Sequence, residues 1–163
     1  KFFIERVRAK MSSMGGVIWW NLIDGWPQVS DAVVDWYYTK KLAYKYIKRS
    51  QNPICFMFDE PKENHITLYG VNDFTHDADA EFTVTNITKN REVMHGSVHL
   101  KADSSAIVGT LEIKGDEKSF YLIKWITDGT RHMNHYCTNL KDIDYRIYMK
   151  EIKECGFDEF EGF

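Results

Sequence analysis

The sequence lacks the features that mark membrane, nucleic-acid-binding and disulfide-rich proteins. No apolar run approaches the roughly 20 residues of a membrane-spanning helix, and no apolar signal segment opens the chain. The formal net charge is −3 and no basic stripe emerges, so neither a membrane nor a nucleic acid is an expected partner. Cys55, Cys137 and Cys155 match no metal-binding or redox spacing. They are expected to be free buried thiols, with one disulfide as the alternative, and no cofactor is implied.

What the sequence has is the composition of a soluble globular protein, with 44% hydrophobic and 28% charged residues. Aromatic residues make up 15%, and such side chains serve either as core or as platforms on which sugars stack. Core packing is the commoner use. Nothing distinguishes a cytoplasmic from a secreted protein. One cationic cluster is interpreted as the solvated face of a helix; it comprises Lys40, Lys41, Lys45, Lys48 and Arg49.

The first fifty residues combine helical and buried-strand patterns. A first amphipathic helix is predicted to end at Gly15-Gly16, and its apolar stripe is Phe3, Val7, Met11 and Met14. Residues 17–22 are apolar on both faces, as a strand buried within a parallel sheet requires. After a turn at 24–27, a second helix is predicted to end at Asn52-Pro53, and its buried stripe is Leu42, Ala43, Tyr46 and Ile47.

A helix, a strand and a helix in this order form one step of an α/β repeat. A single step cannot pair both edges of its strand or cover both of its faces. Residues 1–52 are therefore expected to need neighbouring strands that this chain does not contain. Without them, we expect the chain to self-associate.

From residue 53 onward the apolar period becomes two, which is typical of β-strands. About seven such runs, separated by turn signals, predict an immunoglobulin-like β-sandwich over 53–156. Ile107, Leu111 and Ile113 are assigned to one face of a strand. The strands are expected near 54–59, 66–72, 81–85, 97–101, 107–114, 119–127 and 131–139. A short helix is expected over 143–154 with Ile147, Tyr148 and Ile152 as its apolar side, and a frayed tail over 157–163.

The run from Trp19 to Pro27 carries the residues best suited to chemistry. In a (β/α)₈ barrel, functional side chains lie at the C-terminal ends of strands and in the loops after them. The candidates there are Trp20, Asn21, Asp24 and Trp26. An indole face can stack on a pyranose ring, and an amide or carboxylate can bond its hydroxyl groups. In the alternative interpretation the tryptophans are core residues and Asp24 is a turn residue bonded to its own backbone.

The stretch GGVIWWNLIDGWPQVSDAVVDWYYTKKLAYKYIKRS resembles the end of the catalytic barrel in glycoside hydrolase family 2. Trp20 corresponds to the tryptophan of the final barrel strand and Asn21 to the polar residue after it. Asp35-Trp36-Tyr37 corresponds to the next landmark. Further along, Tyr69–Asp73 and Asn134–Tyr136 resemble two landmarks of the sandwich domain that follows the barrel in β-mannosidase-like members.

This resemblance implies a retaining β-glycosidase in which one glutamate acts as acid/base and another as nucleophile. In the family both glutamates lie on earlier barrel strands, so no residue of this chain is assigned a catalytic role, and Glu5 and Glu60 are not candidates. The fragment is therefore expected to be inactive alone. The resemblance also implies that Trp20 lines the subsite of the sugar being cleaved. In many related barrels its peptide bond to the next residue is cis, and whether a fragment retains that conformation is left open. The carbohydrate substrate and the missing barrel portion are the implied partners.

Departures from the family pattern leave the identity of the sugar open. Asn21 stands where glutamine is usual, so β-mannosidase, β-galactosidase-like and other exo-β-glycosidase activities all fit. No metal site is predicted, because His95 and His99 are about 13 Å apart along a strand. His135 is predicted to pack where the sandwich meets the barrel.

Two other functions compete with that of a glycosidase fragment. The first is a stand-alone carbohydrate-binding module whose exposed aromatic residues, such as Trp125, Tyr121 and Tyr136, stack on glycans. The second is a purely structural module that pairs with another chain through residues 1–50.

Overall fold

The computed structural model describes residues 1–11, 13–139 and 144–157. Within these residues the helices are α1 (Phe2–Ala9), α2 (Leu42–Ser50) and α3 (Tyr145–Glu154). Between α2 and α3 lie β1 (Ile54–Phe58), β2 (His65–Asn72), β3 (Ala78–Asn86), β4 (Arg91–Leu100), β5 (Ser104–Glu112), β6 (Phe120–Thr127) and β7 (Thr130–Cys137). In this described part of the chain, no helix is both long and apolar enough to span a membrane.

The strands form two antiparallel sheets, one with the order β1-β2-β5 and one with the order β4-β3-β6-β7. Consecutive strands pair as hairpins in β1-β2, β3-β4 and β6-β7. The chain crosses from one sheet to the other between β2 and β3, and twice more around β5. The predicted mainly β fold is confirmed as a β-sandwich, with strand positions close to those expected from the period of two.

The core lies between the two sheets and is rich in aromatic rings. On β3, Ala80, Phe82 and Val84 face inward and are buried, since alternate residues of a strand point to the same side. The Phe56 ring lies 5.4 Å from that of Phe82 and 5.4 Å from that of Trp125, which is 1% exposed. Truncation of such a ring costs about 3–5 kcal/mol, so these three rings contribute substantially to the stability of the sandwich.

A β-bulge in β5 makes one sequence prediction wrong. Ile107 was assigned to the same face as Leu111, but Ile107 is 65% exposed. Leu68 pairs with Gly109 and Tyr69 with Ile107, so one extra residue is inserted in β5 at Val108. Such an insertion reverses the alternation of side chains, which turns Val108 toward the core and Ile107 toward solvent.

Helix α1 packs on the outside of the β1-β2-β5 sheet, and its buried face differs from the predicted stripe. The buried residues are Ile4, Glu5, Val7, Arg8 and Ala9, whereas Phe3 and Met14 are exposed. The helix also ends at Ala9, before the two glycines. The prediction failed because it counted only apolar side chains, and two charged ones face the sandwich.

Helix α2 begins and ends close to the predicted positions, but its apolar stripe is only half-buried and Ala43 is exposed. Its cations are not all solvated either. Lys41 Nζ lies 2.8 Å from the Asp24 carboxylate, and the Arg49 guanidinium lies over the ring of Phe157 at 4.4 Å. The interpretation of the cluster as a plain solvated face is therefore wrong at these two positions.

Helix α3 covers part of the outer face of the β4-β3-β6-β7 sheet and forms a second, smaller core. Ile152 is fully buried in it with Phe120, Leu122 and Cys137. Ile147, assigned to the apolar side, is instead exposed. Phe157 is buried in the same cluster, so the predicted frayed tail does not begin there. Ile143 and the rest of the tail, 158–163, lie outside the described residues.

The three cysteines are free thiols, as expected. Cys55 and Cys137 are buried, whereas Cys155 is only half-buried. Burial raises the pKa of Cys55 to about 12, because the interior disfavours the thiolate. These thiols are therefore unreactive packing groups rather than nucleophiles.

Candidate functional site

The segment predicted as a barrel strand does not form a strand in this chain. Residues 17–22 are extended or bent without sheet pairing, and the nearest ladder contact is an isolated parallel bridge between Ile23 and Val34. A strand needs a ladder of hydrogen bonds to a neighbour, and among the described residues only Asn21 and Leu22, at the end of this segment, accept main-chain hydrogen bonds from one. The prediction of a strand over 17–22 is thus wrong here, and the α-β-α step is present only as two helices around an irregular connection.

That connection is nevertheless ordered by main-chain hydrogen bonds. Asn21 O accepts from Val33 N at 3.2 Å, and Leu22 O accepts from Val34 N at 2.9 Å. On the other side, Lys41 N donates to Val33 O at 2.9 Å. Three pieces of chain therefore lie side by side, with Val33 and Val34 buried at their centre. This arrangement fixes the backbone beneath the candidate site residues.

Asp24 is the most enclosed of the four candidates, at 2% exposure. Its carboxylate forms an ion pair with Lys41 at 2.8 Å and accepts a hydrogen bond from the Ser30 hydroxyl. These bonds, first from Lys41 and then from Ser30, hold the pKa of the Asp24 carboxyl below its usual value. Both partners close the loop around Asp24, so contact with a sugar hydroxyl requires that one of them be displaced.

Trp20 and Trp26 are open to solvent, with exposed fractions of 80% and 66%. The peptide bond between Trp20 and Asn21 is cis, as it is in many related barrels. Asn21 is half-buried, and its Oδ1 has no hydrogen-bond partner among the described residues. Trp26 Nε1 donates to Gln28 Oε1 at 2.6 Å, which orients the indole. Two exposed aromatic faces therefore lie close in sequence to an amide oxygen that is buried and unpaired.

A second group of exposed aromatic residues lies on a closed turn over 35–39, which sequence reasoning treated only as a family landmark. Asp35 closes this turn, because its backbone N–H donates to Thr39 O at 2.9 Å and its carboxylate accepts from Thr39 N at 2.8 Å. Tyr38 has φ of +66°, a left-handed conformation that is strained for a bulky residue. Trp36, Tyr37 and Tyr38 all project into solvent.

The first helix and the sandwich meet through buried polar contacts. Glu5 is 1% exposed, and its carboxylate accepts from Lys1 Nζ at 2.9 Å and from Asn134 Nδ2 at 2.8 Å. Asn134 also donates to Phe56 O at 2.9 Å. The buried charge of Glu5 is thus fully compensated, as burial of an ion requires. Glu5 is a structural residue, in agreement with its exclusion from catalysis.

Arg8 makes the second buried contact of this junction. Its guanidinium donates to the backbone carbonyls of Ser50, Asn52 and Pro53, and it forms an ion pair with Asp73 at 2.7 Å. The planar fork of arginine suits several acceptors at once. Arg8 thereby joins α1, the end of α2 and the strand β2 around one side chain. Sequence patterns gave no signal of this role.

The second family landmark of the sandwich, at Asn134–Tyr136, also lies at the junction. His135 is buried among aromatic rings from α2, β6 and α3, as predicted for the place where the sandwich meets the preceding segment. Arg6 adds ion pairs to Asp59 at 3.2 Å and Glu60 at 2.6 Å. Both predicted landmarks therefore serve the contact between residues 1–52 and the sandwich.

The three aromatic residues on which the alternative function relied are not on the surface of the sandwich. Trp125, Tyr121 and Tyr136 are all buried, which makes their prediction as exposed glycan-stacking residues wrong. A concave region of about 930 Å³ on the outer face of the four-stranded sheet is lined both by polar residues such as Thr83 and Lys124 and by apolar ones such as Ile126 and Met133. Among the described residues, no group of three or more His, Cys, Asp or Glu side chains is arranged to hold a metal ion.

Comparisons with solved structures identify a similar fold in a sugar-cleaving enzyme. The chain matches a β-D-mannosidase from Dictyoglomus thermophilum with a TM-score of 0.69 and 25% identity, over 82% of this chain and 17% of that one. Two structures of a β-glucuronidase from Parabacteroides merdae match at TM-scores of 0.33 and 0.34, with 14% and 10% identity, over 52% and 53% of this chain and 12% and 13% of theirs. Those scores are too low to indicate a shared fold.

No family model and no curated protein matches the sequence. The match to the β-mannosidase confirms the predicted resemblance to glycoside hydrolase family 2, and it is consistent with a C-terminal domain of such an enzyme. The chain spans about a sixth of that enzyme's length.

Proposed function

We propose that this chain is the C-terminal part of a retaining exo-β-glycosidase of the β-mannosidase type and is inactive by itself. The observation that carries this proposal is the structural match to a β-D-mannosidase over 82% of the chain. The Trp20–Pro27 run adds independent support, because it resembles the end of the family's catalytic barrel. The specific sugar and linkage stay open.

In this proposal, hydrolysis depends on two carboxyl groups held about 5–5.5 Å apart, one as nucleophile and one as acid/base. Neither is supplied by this chain. Glu5 is held by Lys1 and Asn134, and Glu60 is paired with Arg6 at the start of the sandwich. A carboxylate committed to a structural ion pair has no freedom to attack an anomeric carbon or to exchange protons with a leaving group.

The contribution of this chain to the reaction is substrate positioning. We assign Trp20 as the stacking surface for the sugar that is cleaved, with Asn21 and Trp26 as neighbouring contacts. An aromatic ring against the apolar face of a pyranose excludes water and fixes the orientation of the ring. Asp24 acts indirectly, because its bonds to Ser30 and Lys41 hold in place the loop that carries Trp26.

The sandwich acts as a support for the barrel. The buried contacts of Glu5 and Arg8 and the enclosed His135 tie residues 1–52 to the sandwich through charged and aromatic side chains. The exposed apolar side chains of 14–38 face the remaining barrel portion, which is the partner that covers them. A buttress of this kind keeps the last barrel segment in register with the catalytic glutamates.

The test of this proposal is a substitution in the full-length parent enzyme. Trp20→Ala is expected to lower kcat/KM for an aryl β-glycoside by two orders of magnitude or more, because a misplaced substrate loses near-attack geometry. Trp36→Ala is the matched control, since it removes an exposed tryptophan from the neighbouring turn, and it should retain most of the activity. An unchanged kcat/KM for Trp20→Ala, measured by steady-state kinetics, contradicts the subsite assignment.

A further inference from the structure

His135 lies at the point where α2, α3 and the sandwich meet, and four rings enclose its imidazole. Phe120 of β6 stacks on it at 5.2 Å with an interplanar angle of 3°. Tyr46 of α2 and Phe157, just after α3, present their edges at 5.9 Å and 5.1 Å, and Tyr148 of α3 lies at 5.9 Å. The side chain is 5% exposed, so its hydrogen bonds must be made within the protein.

The hydrogen bonds of His135 define a single tautomer. Arg49 Nη2 lies 3.3 Å from His135 Nδ1, and a guanidinium can only donate. Nδ1 must therefore be the acceptor, and the ring proton of the neutral imidazole resides on Nε2. Nε2–H donates to the Tyr148 hydroxyl at 3.0 Å, and that hydroxyl is also hydrogen-bonded to the hydroxyl of Tyr46. The hydrogen bonds connect Arg49, His135, Tyr148 and Tyr46 in that order.

In the part of the chain that the structure describes, the charged side chains that bond to His135 are both cations. Lys1 of α1 donates to the His135 backbone oxygen at 2.8 Å, and Arg49 of α2 contacts the ring itself. The other titratable groups that face it are the neutral Tyr46, Tyr148 and Cys137. Burial first, and then the charges of Lys1 and Arg49, hold the pKa of His135 well below its usual value.

We propose that His135 is an acid-sensitive latch, whose protonation releases α3 and α2 from each other and from the edge of the sandwich. A second proton would have to bind to Nδ1, where it would point at an N–H of Arg49. The imidazolium and the guanidinium would then be two cations in contact. The closed junction therefore accepts only the neutral ring, whereas an opened one exposes His135 to water. This inference does not depend on the proposed glycosidase function.

The direction of the pH effect follows from linkage. An opened state titrates near the ordinary histidine pKa of about 6.5, while the closed state titrates lower. The closed junction is fully stable above that pH and loses stability as pH falls toward the closed-state pKa. The ratio of open to closed molecules rises about fivefold over the first pH unit below 6.5 and approaches a tenfold rise for each further unit within that window.

Hydrogen exchange of the 163-residue chain tests the latch. Exchange of the α3 amides (Tyr145–Glu154), corrected for intrinsic rates, should lose about fivefold protection between pH 6.5 and 5.5. In His135→Gln, which cannot gain a proton, the protection should be independent of pH. His95→Gln makes the same change at an exposed histidine and should retain the wild-type loss. Burial also raises the pKa of Glu151 on α3. Because Glu151 is present in all three proteins, it cannot cause a difference in protection between them.

Two results would overturn the latch, namely constant protection in the wild type or an unchanged loss of protection in His135→Gln. Should His135→Gln fail to fold, ¹⁵N NMR of the imidazole decides with the wild-type chain alone. A neutral ring protonated on Nε2 at pH 6 supports the latch, whereas a charged ring or an Nδ1 tautomer in the folded protein contradicts it.

Discussion

His99 lies on the exposed outer face of the four-stranded sheet with a carboxylate at each ring nitrogen. Nδ1 is 2.8 Å from Asp79 and Nε2 is 3.0 Å from Asp77. Asp77 is held in place because its other oxygen accepts from Ala102 N at 2.8 Å. Since a carboxylate only accepts, both ring nitrogens must donate, which only the imidazolium can do. The hydrogen bonds to Asp79 and then Asp77 raise the pKa of His99.

We predict that His99 titrates above the ordinary value of 6.5 and that Asp79→Asn lowers its pKa toward that value. The stabilisation from this pair is fully present below the unfolded-state pKa and disappears as pH rises through the folded-state pKa. NMR titration of the imidazole resonances measures the shift. Glu81→Gln, on the same face of the same strand, is the matched control and should leave His99 nearly unchanged. Equal pKa values in the wild type and Asp79→Asn would refute the arrangement.

For single residues, the sequence predicted a position in the fold where the pattern of neighbouring residues was enough to define it. His135 and Asn134 were correctly located where the sandwich meets the preceding segment. The partners of Arg8 and Glu5 could not be predicted, because Asp73 and Asn134 lie 65 and 129 positions away along the chain. The periodicity of a sequence reflects the polarity and spacing of nearby residues. It does not indicate which distant side chain will compensate a buried charge.

At the level of elements, the period of two was a sufficient signal for the sandwich. The seven predicted strands all form, because each pairs with a neighbour in the same chain. The strand predicted over 17–22 does not form for the opposite reason, since among the described residues only Asn21 and Leu22 accept main-chain hydrogen bonds from a neighbour and no ladder develops. Strand propensity is therefore realised only where hydrogen-bonding partners exist. The bulge at Val108 also escaped prediction, because an inserted residue leaves no compositional mark in the sequence.

Two strand glycines provide a test of close packing within the sandwich. A Cβ at Gly70 would lie 3.0 Å from Leu100 Cδ2 and 3.1 Å from Val108 Cγ2, both branched side chains of the packed interior. A Cβ at Gly109 would lie 2.7 Å from Met94 Sδ, near the end of a flexible side chain. The first site has neighbours that resist displacement, whereas the second has one that can rotate away.

We predict that Gly70→Ala lowers the free energy of unfolding by about 1–3 kcal/mol, as overpacking in cores does. Gly109→Ala should cost clearly less, because displacement of Met94 is offset by the smaller conformational entropy of alanine in the unfolded chain. Urea unfolding followed by tryptophan fluorescence measures both variants. A Gly109→Ala variant that is the less stable of the two would show that Met94 is held rigidly.

At the scale of the whole molecule, apolar exposure is concentrated in one region. The sandwich contributes mainly Ile107 and Ile126 to the exposed large apolar side chains of the described residues, while the connection between α1 and α2 contributes most of the rest. These are Met14, Ile18, Trp20, Leu22, Ile23, Trp26, Val29, Trp36, Tyr37 and Tyr38. A soluble monomer rarely leaves so much contiguous chain uncovered. In the proposed parent, the remaining barrel portion covers it.

We predict that the isolated chain therefore self-associates through this region, with an average mass in sedimentation that rises with concentration. Replacing Ile18 and Leu22 by serine removes two uncovered aliphatic side chains from the connection, and it should shift the protein toward monomer. Ile126→Ser removes an exposed aliphatic side chain from the outer face of the four-stranded sheet and should leave association unchanged, since the residues that line the concave regions around it all belong to that sheet. A monodisperse monomer at high concentration would mean that the apolar side chains of 14–38 cover one another. In that case this segment would not require a barrel around it.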